Sequence, residues 1–164
     1  MKKIFTMVMA LALVLVSTLG LAAAVYADDG TDGSAAGAGA GSVTAEGDGI
    51  ALLAGRGIVE MSGNGILWVK DGTGDAVIRV TGAGHKTEFP DGWTQYAGFR
   101  GKAHIEGRRI AVVIAGTDVD LRATGRGRVI LWGHGSYEMN GSHGDWSTTG
   151  LGRRVRLAAD SDTP

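Results

Sequence analysis

Apolar and polar residues alternate in short runs along residues 101–140, and each run ends at a glycine-bearing segment. A two-residue period places successive side chains on opposite faces of a strand. A helix would need apolar positions at intervals of about 3.6 residues and would lose about 1 kcal/mol at each interior glycine. The pattern therefore predicts an antiparallel β-meander over this part of the chain.

The glycine segments predict turns that carry one apolar face through five strands without a register slip. These turns are expected at 107–108, 116–117, 125–127 and 133–135. With those turns, Val112 and Leu131 both lie opposite Leu121, and Glu106 lies opposite Arg109. Opposite charges across a ladder favour that register by a few tenths of a kcal/mol.

A first meander is predicted from Ile50, with loops at 55–57, 63–65 and 71–74. The last loop would set Lys70 opposite Asp75, another pair of opposite charges. The side chains predicted to face the core share one parity along the chain. They are Ala51, Leu53, Val59, Met61, Leu67 and Val69.

The second face of this first meander is apolar as well. A strand that is apolar on both faces must be covered on both or must expose an apolar patch. We therefore expect this part of the sheet to be the more buried part or else an interaction surface. The residues of that surface are Ile50, Leu52, Ile66 and Trp68.

Together the runs predict an all-β fold, an antiparallel up-and-down meander of about ten to twelve short strands. Closure as a barrel or a sandwich follows from the expected turns. A β-solenoid is the alternative, because it also tolerates a glycine about every eight residues. An outer-membrane barrel needs strands of about 9–11 residues, and the runs here are shorter.

The N-terminal segment, residues 1–27, has the features of a secretory signal peptide. Lys2 and Lys3 precede an apolar run, and small residues stand at Val25 and Ala27 before the acidic pair that begins at Asp28. Residues 28–49 are rich in Gly, Ala and Asp and predict a flexible stalk. The β-domain is expected at 50–158 and a disordered tail at 159–164. The predicted location is secreted, periplasmic or at the cell surface, without stable membrane insertion after cleavage.

Composition removes several classes of function. The chain has no cysteine, which excludes a disulfide framework and a lipid-anchored lipoprotein. Without Lys2 and Lys3, the 16 basic residues become 14 against 17 acidic ones, a net charge of about −3. This offers no basic field for nucleic acid.

Four of the ten aromatic residues fall within residues 89–99, around the turn signal Pro90-Asp91-Gly92. Exposed aromatic faces are used by carbohydrate-binding proteins to stack against sugar rings. One interpretation is therefore a ligand-binding loop. The other is a long crossover whose aromatics plug one end of the β-domain. The four residues are Phe89, Trp93, Tyr96 and Phe99.

No motif for catalysis, a metal or a cofactor emerges from the sequence, so we expect a protein that is not an enzyme and uses neither metal nor cofactor. The four histidines do not stand at metal-ligand spacings. His134, His143 and Asp145 could meet at one end of a meander. Asp118 and Asp120 share a strand face, but Arg122 continues that face and balances their charge.

Residues 50–140, with their GxG turns and alternating runs, resemble the glycine-punctuated strands of secreted bacterial adhesin heads and other Gly-rich β proteins. The resemblance implies an extracellular structural or adhesive role and carries over no functional residue. We therefore expect an exported, non-catalytic structural or adhesive β-domain with a carbohydrate, lipid or protein partner. A small-ligand binding barrel (lipid or carbohydrate) is the first alternative, and a hydrolase using the loop-borne His/Asp residues is the second. The oligomeric state stays open.

Overall fold

The computed structural model describes residues 40–158, which lie in one compact unit. The predicted signal peptide, the first part of the stalk and the tail lie outside the described residues. Five strands account for most of the described chain, and none of it is helical. The strands are β1 (Gly41–Asp71), β2 (Val77–Glu88), β3 (Trp93–Met139), β4 (Ser142–Asp145) and β5 (Arg153–Leu157).

All strand pairings between these elements are antiparallel, which confirms the all-β, antiparallel prediction. The order in the sheet is β1-β3-β2, with β4 and β5 also paired to β3. The sheet is not closed, because β2 forms an edge and pairs only with β3 among the described residues.

The longest strands, β1 and β3, contact each other on both edges of β1. Val43 and Val59, sixteen residues apart in sequence, both pair with Ala123. Sixteen extended residues would span about 53 Å, whereas two strands that flank a third lie only about 10 Å apart. β1 must therefore bend back on itself between these two valines.

Glycine pairs make these bends possible. Gly55 lies opposite Gly127, and Gly57 lies opposite Gly125. A Cβ added to Gly57 would lie 2.1 Å from the Thr124 carbonyl oxygen, far inside van der Waals contact. The two backbones can approach this closely only because neither carries a side chain at the crossing.

Except for the loop at 71–74, the predicted turns at the glycine segments are wrong, since β1 and β3 continue through them. The described residues form five strands, so the predicted count of ten to twelve is not confirmed. A three-residue hairpin loop ends in a left-handed residue, with φ near +57°. Gly57, which would end the loop at 55–57, has φ of +136°, so the strand bends there without reversing. The predicted pair Lys70/Asp75 fails because β2, which follows the loop, pairs with β3 and not with β1, and the pair Glu106/Arg109 fails because β3 continues through the predicted turn. Lys70 pairs with Trp93 and Ala111, and both members of the second pair lie within β3.

Two reversals do occur where turn residues predicted them. Between β2 and β3, the Gly92 amide donates to the Phe89 carbonyl at 3.0 Å, and the Phe89 amide donates to the Trp93 carbonyl at 2.8 Å. The loop at 71–74 also ends β1 as expected. It leads, however, to β2, which pairs with β3 and not with β1.

The core-facing series of the first meander is buried in one hydrophobic cluster, which confirms the predicted face. β3 contributes its own buried series to the same cluster, and each fully buried Leu, Ile or Val contributes about 1.5–3 kcal/mol relative to exposure. No polar or charged residue is buried within the described chain. The β3 members are Phe99, Ala103, Ile105, Ile110, Val112, Ile114, Val119, Leu121, Ala123, Val129 and Leu131.

The N-terminal boundary of the β-domain differs from the prediction. β1 begins at Gly41, so residues 41–49 of the predicted stalk are strand. Val43 and Ala45 are buried in the core cluster, and Thr44 between them is exposed. The same two-residue alternation runs through this segment, but its small residues concealed the pattern.

Candidate functional site

The glycine bends divide the outward-facing positions into two bands. The charged band consists of the outward residues of 43–48, 58–62, 100–106, 118–124 and 134–138. The apolar band consists of the outward residues of 50–54, 66–70, 111–115 and 128–132. Within each band, the register places like segments side by side. Glu60, for example, lies between His104 and Arg122, and Leu52 lies between Val113 and Ile130.

The predicted interaction surface lies in the apolar band. Ile50 and Leu52 are only 4% and 3% exposed, although they are not part of the main core cluster. Ile66 and Trp68 are half-buried. Ile50 and Leu52 are therefore buried, which was the first of the two predicted outcomes. The half-buried Ile66 and Trp68 are the members of this surface that can still contact a partner.

Sequence reasoning missed the rest of the apolar band, namely Val113, Ala115, Ile130 and Trp132. The signal was present, because residues 110–115 and 129–132 are apolar at both parities. Such runs are typical of strands that are covered on both faces.

Three aromatic rings form a cluster at one margin of the apolar band. Phe89 stacks on Trp68 with ring centroids 5.2 Å apart, and Trp93 meets Trp68 edge-on at 6.3 Å. The Lys70 ammonium lies 5.7 Å from the Trp93 ring centroid, within the range of a cation–π contact. Phe89 is 37% exposed, so part of the cluster is accessible to a partner.

The four predicted ligand-binding aromatics do not form one site. Phe89 and Trp93 belong to the aromatic cluster on the outer face. Phe99 is buried in the core, and Tyr96 packs half-buried against it. Part of the set therefore contributes to the core, as the plug interpretation expected, while Phe89 remains available at the surface.

A groove of about 420 Å³ opens on the charged band. It carries the carboxylates of Glu46, Glu138 and Asp145, and His143 Nδ1 lies 3.9 Å from Glu138 Oε2. These side chains are largely solvated, and exposed ion pairs of this kind contribute at most about 1 kcal/mol. The groove is therefore an open acidic surface rather than a dry catalytic cleft.

The predicted His/Asp constellation is only partly brought together. His143 and Asp145 line the groove, whereas His134 is not among its lining residues. Asp118 and Asp120 have separate partners, because Asp118 accepts from Asn64 at 2.8 Å and Asp120 lies 3.7 Å from Arg122. Across residues 40–158, no three His, Asp or Glu side chains are grouped so that they could hold a metal ion.

Three carboxylates in the described chain have a lowered pKa, and two of them, Asp71 and Asp75, belong to the β1–β2 loop. Burial alone would raise the pKa of Asp71. The backbone amides of Ala76, Thr73 and Gly74 outweigh burial, donating at 2.8, 3.0 and 2.9 Å and lowering the pKa below its usual range. Hydrogen bonds from the Thr73 hydroxyl and the Arg108 guanidinium lower the pKa of Asp75. Both carboxylates stabilise the loop and have no geometry for acid–base chemistry.

Comparison of the chain with protein-family models, curated proteins and solved structures found no match. The resemblance to adhesin heads and other Gly-rich β proteins therefore stays a prediction. A search of the described residues for a helix long and apolar enough to cross a bilayer found none.

Proposed function

We propose that this chain is an exported, non-catalytic structural or adhesive β-domain of the cell surface or periplasm. The observation that supports the proposal is a single hydrophobic core shared by β1 and β3. The core-facing residues of β1 and β3 pack against each other in one cluster, and the groove lies on the outer, charged band. A ligand-binding barrel would instead need a cavity of about 300 Å³ or more within the apolar interior.

The architecture behind this function is, in our proposal, a coiled ribbon of two strands, closer to the solenoid alternative than to an up-and-down barrel. The support comes from the repeated register, in which β1 residues sixteen positions apart share one β3 partner. Ala45 and Met61 share Leu121 in the same way that Val43 and Val59 share Ala123. Such a coil is a scaffold that presents its outer faces to a partner.

The aromatic cluster is the part of the outer surface best suited to adhesion. Phe89 is partly exposed, and the ring of Trp68 stacks on it and fixes its position. Aromatic rings give large contact areas at low entropic cost and are enriched where proteins bind partners. The chemistry fits a carbohydrate polymer, whose sugar rings stack on such faces.

The test compares two aromatics of the same turn region that face opposite ways. Beads coated with the exported protein are measured for retention of cell-envelope polysaccharide. Phe89→Ala should lower retention at least tenfold, because it removes the open ring face. Tyr96→Ala, on the core side, should leave retention per folded molecule unchanged.

Three results would contradict the proposal. The first is retention that is insensitive to Phe89→Ala, and the second is recovery of the protein only from the cytosol of expressing cells. The third is a lipid or sugar that stays bound one per chain in native mass spectrometry of Phe89→Ala, which would favour the ligand-binding alternative. The expected native mass is that of the polypeptide alone.

A further inference from the structure

One row of opposed residues crosses the apolar band, from the aromatic cluster on one flank to β5 on the other. Each member lies directly opposite the next on a neighbouring strand, and directly opposed residues project from the same face of a sheet. The row is therefore a continuous line of side chains on the outer face. Its members are, in order, Trp93, Lys70, Ala111, Ala54, Arg128 and Arg156.

The charged residues of this row are all basic. The apolar band has no acidic residue, and its two charged side chains, Lys70 and Arg128, both belong to the row. Arg156 is exposed and lies directly opposite Arg128, although like charges opposed in this way destabilise a ladder. Within residues 40–158 neither guanidinium pairs with a carboxylate, whereas Arg108 and Arg122 both do. The row therefore keeps a local excess of positive charge in a mature chain whose net charge is negative.

The middle of the row is low and accessible. Ala54 and Ala111 each carry only a methyl group, and both are half-buried, unlike the buried Leu52 and Val113 of the row beside them. Neighbouring strands lie about 4.8 Å apart, so three steps place Lys70 about 14 Å from Arg128 along the row. A linear polymer can therefore lie across the strands, over the two alanines and between basic side chains at both ends.

We propose that the polymer bound by this domain is an acidic polysaccharide whose sugars carry carboxylates, and that it lies across the strands along this row. One sugar ring stacks on Phe89, and carboxylates pair with Lys70 at one end and with Arg128 and Arg156 at the other. Guanidinium groups bind carboxylates in a bidentate geometry. A sugar that carries its own carboxylate satisfies both the aromatic cluster and the basic residues, whereas a neutral polymer would leave these cations unpaired. This inference rests on the proposed adhesive function and adds the charge of the ligand and its path.

One polymer in two forms tests the charge of the ligand. Polygalacturonate has a carboxylate on each sugar, and its methyl ester has the same backbone without the charge. Each form is immobilised, and binding of the exported protein is measured by biolayer interferometry. Wild type should bind the free acid at least tenfold more tightly than the ester. Raising the salt from about 0.1 M to about 1 M shortens the Debye length from about 10 Å to about 3 Å and should remove most of this preference.

The double variant Arg128→Gln/Arg156→Gln tests the path. Both positions are exposed, so the fold should be kept. The variant should bind the free acid at least tenfold more weakly than wild type does and should bind the ester equally well. The matched control is Arg79→Gln, because Arg79 is an exposed strand residue opposite His104, outside the apolar band. It should bind both forms as wild type does.

The outcomes separate this inference from the function on which it rests. Equal binding of wild type to the two forms, or a double variant that matches Arg79→Gln, would overturn the acidic ligand. The adhesive function would survive that result if Phe89→Ala still weakened binding to the ester. Binding of neither form, or binding that ignores Phe89→Ala in both, would refute the function itself. Tighter binding to phosphatidylglycerol vesicles than to the free acid would also overturn the inference, because the row would then serve an anionic lipid surface.

Discussion

The glycine crossings predict an unusual cost for the smallest possible substitution, Gly55→Ala. The added Cβ would lie 2.2 Å from the Arg126 carbonyl oxygen and 2.7 Å from the Gly127 Cα. Relief requires the two strands to separate by about 1 Å, which weakens the ladder bonds on each side at about 1 kcal/mol each. It also loosens the adjacent buried pair Leu53/Val129, at about 1–3 kcal/mol. The expected loss is about 3–5 kcal/mol, a large part of the 5–15 kcal/mol typical of a domain.

Gly98→Ala is the control, because its φ of +67° is left-handed but a Cβ there meets nothing within 4 Å. For Gly98→Ala we therefore expect a loss of only about 1–2 kcal/mol, the cost of a left-handed backbone conformation in a residue with a Cβ. Urea unfolding followed by tryptophan fluorescence gives both free energies by linear extrapolation. If Gly55 stood in a hairpin loop, its alanine variant would cost about as much as Gly98→Ala. A loss of 2 kcal/mol or less for Gly55→Ala would therefore refute the crossing.

Two further predictions concern the core and the β1–β2 loop. Leu121 is fully buried, so Leu121→Ala should lower the free energy of unfolding by about 2–5 kcal/mol in the same urea assay. Leu151 is 65% exposed, so Leu151→Ala should change it by less than about 0.5 kcal/mol. Similar losses for the two would contradict the assigned core. The pKa of Asp71 is lower in the folded than in the unfolded chain. Asp71 therefore contributes fully to the free energy of unfolding above the unfolded pKa near 3.8, and this contribution is lost as pH falls through the folded pKa. Asp71→Asn should therefore cost about 1 kcal/mol at pH 7, discounted for solvent screening, and should flatten the fall in stability below about pH 4. A parallel pH profile for wild type and variant would exclude this role.

The buried face could be predicted from the sequence even though the strand connections could not. Side chains of one parity face the core whether a GxG segment bends a strand or reverses it through a three-residue loop. Leu53 and Val59 are therefore buried in both cases. Hydrophobic periodicity constrains the face of each residue and is silent about whether the chain turns back between runs.

The candidate site was harder to predict because proximity in sequence suggested proximity in space. Phe89, Trp93, Tyr96 and Phe99 cluster along the chain, yet Trp93 and Tyr96 are three residues apart in one strand. An odd spacing sends two side chains of a strand to opposite faces. Parity could therefore have separated Trp93 from Tyr96, but it would have placed Phe99, six residues from Trp93, on the outer face. Phe99 is buried because the strand skips Gly98 in the register with β1, at a left-handed φ of +67°. The contact between Lys70 and Trp93 depends on the β1–β3 register and had no local signal.

Register in this protein is selected by the outward residues between the glycines rather than by the glycines themselves. Any GxG segment can cross any other, so glycine pairing leaves many registers open. The structure uses the ones that match outer faces: residues 43–47 pair with 119–123 and 135–139, all polar outward, and residues 50–54 pair with 111–115 and 128–132, largely apolar outward. A shift by one glycine segment would set residues such as Leu52 and Trp68 beside outward carboxylates, where polar groups lose water without gaining partners.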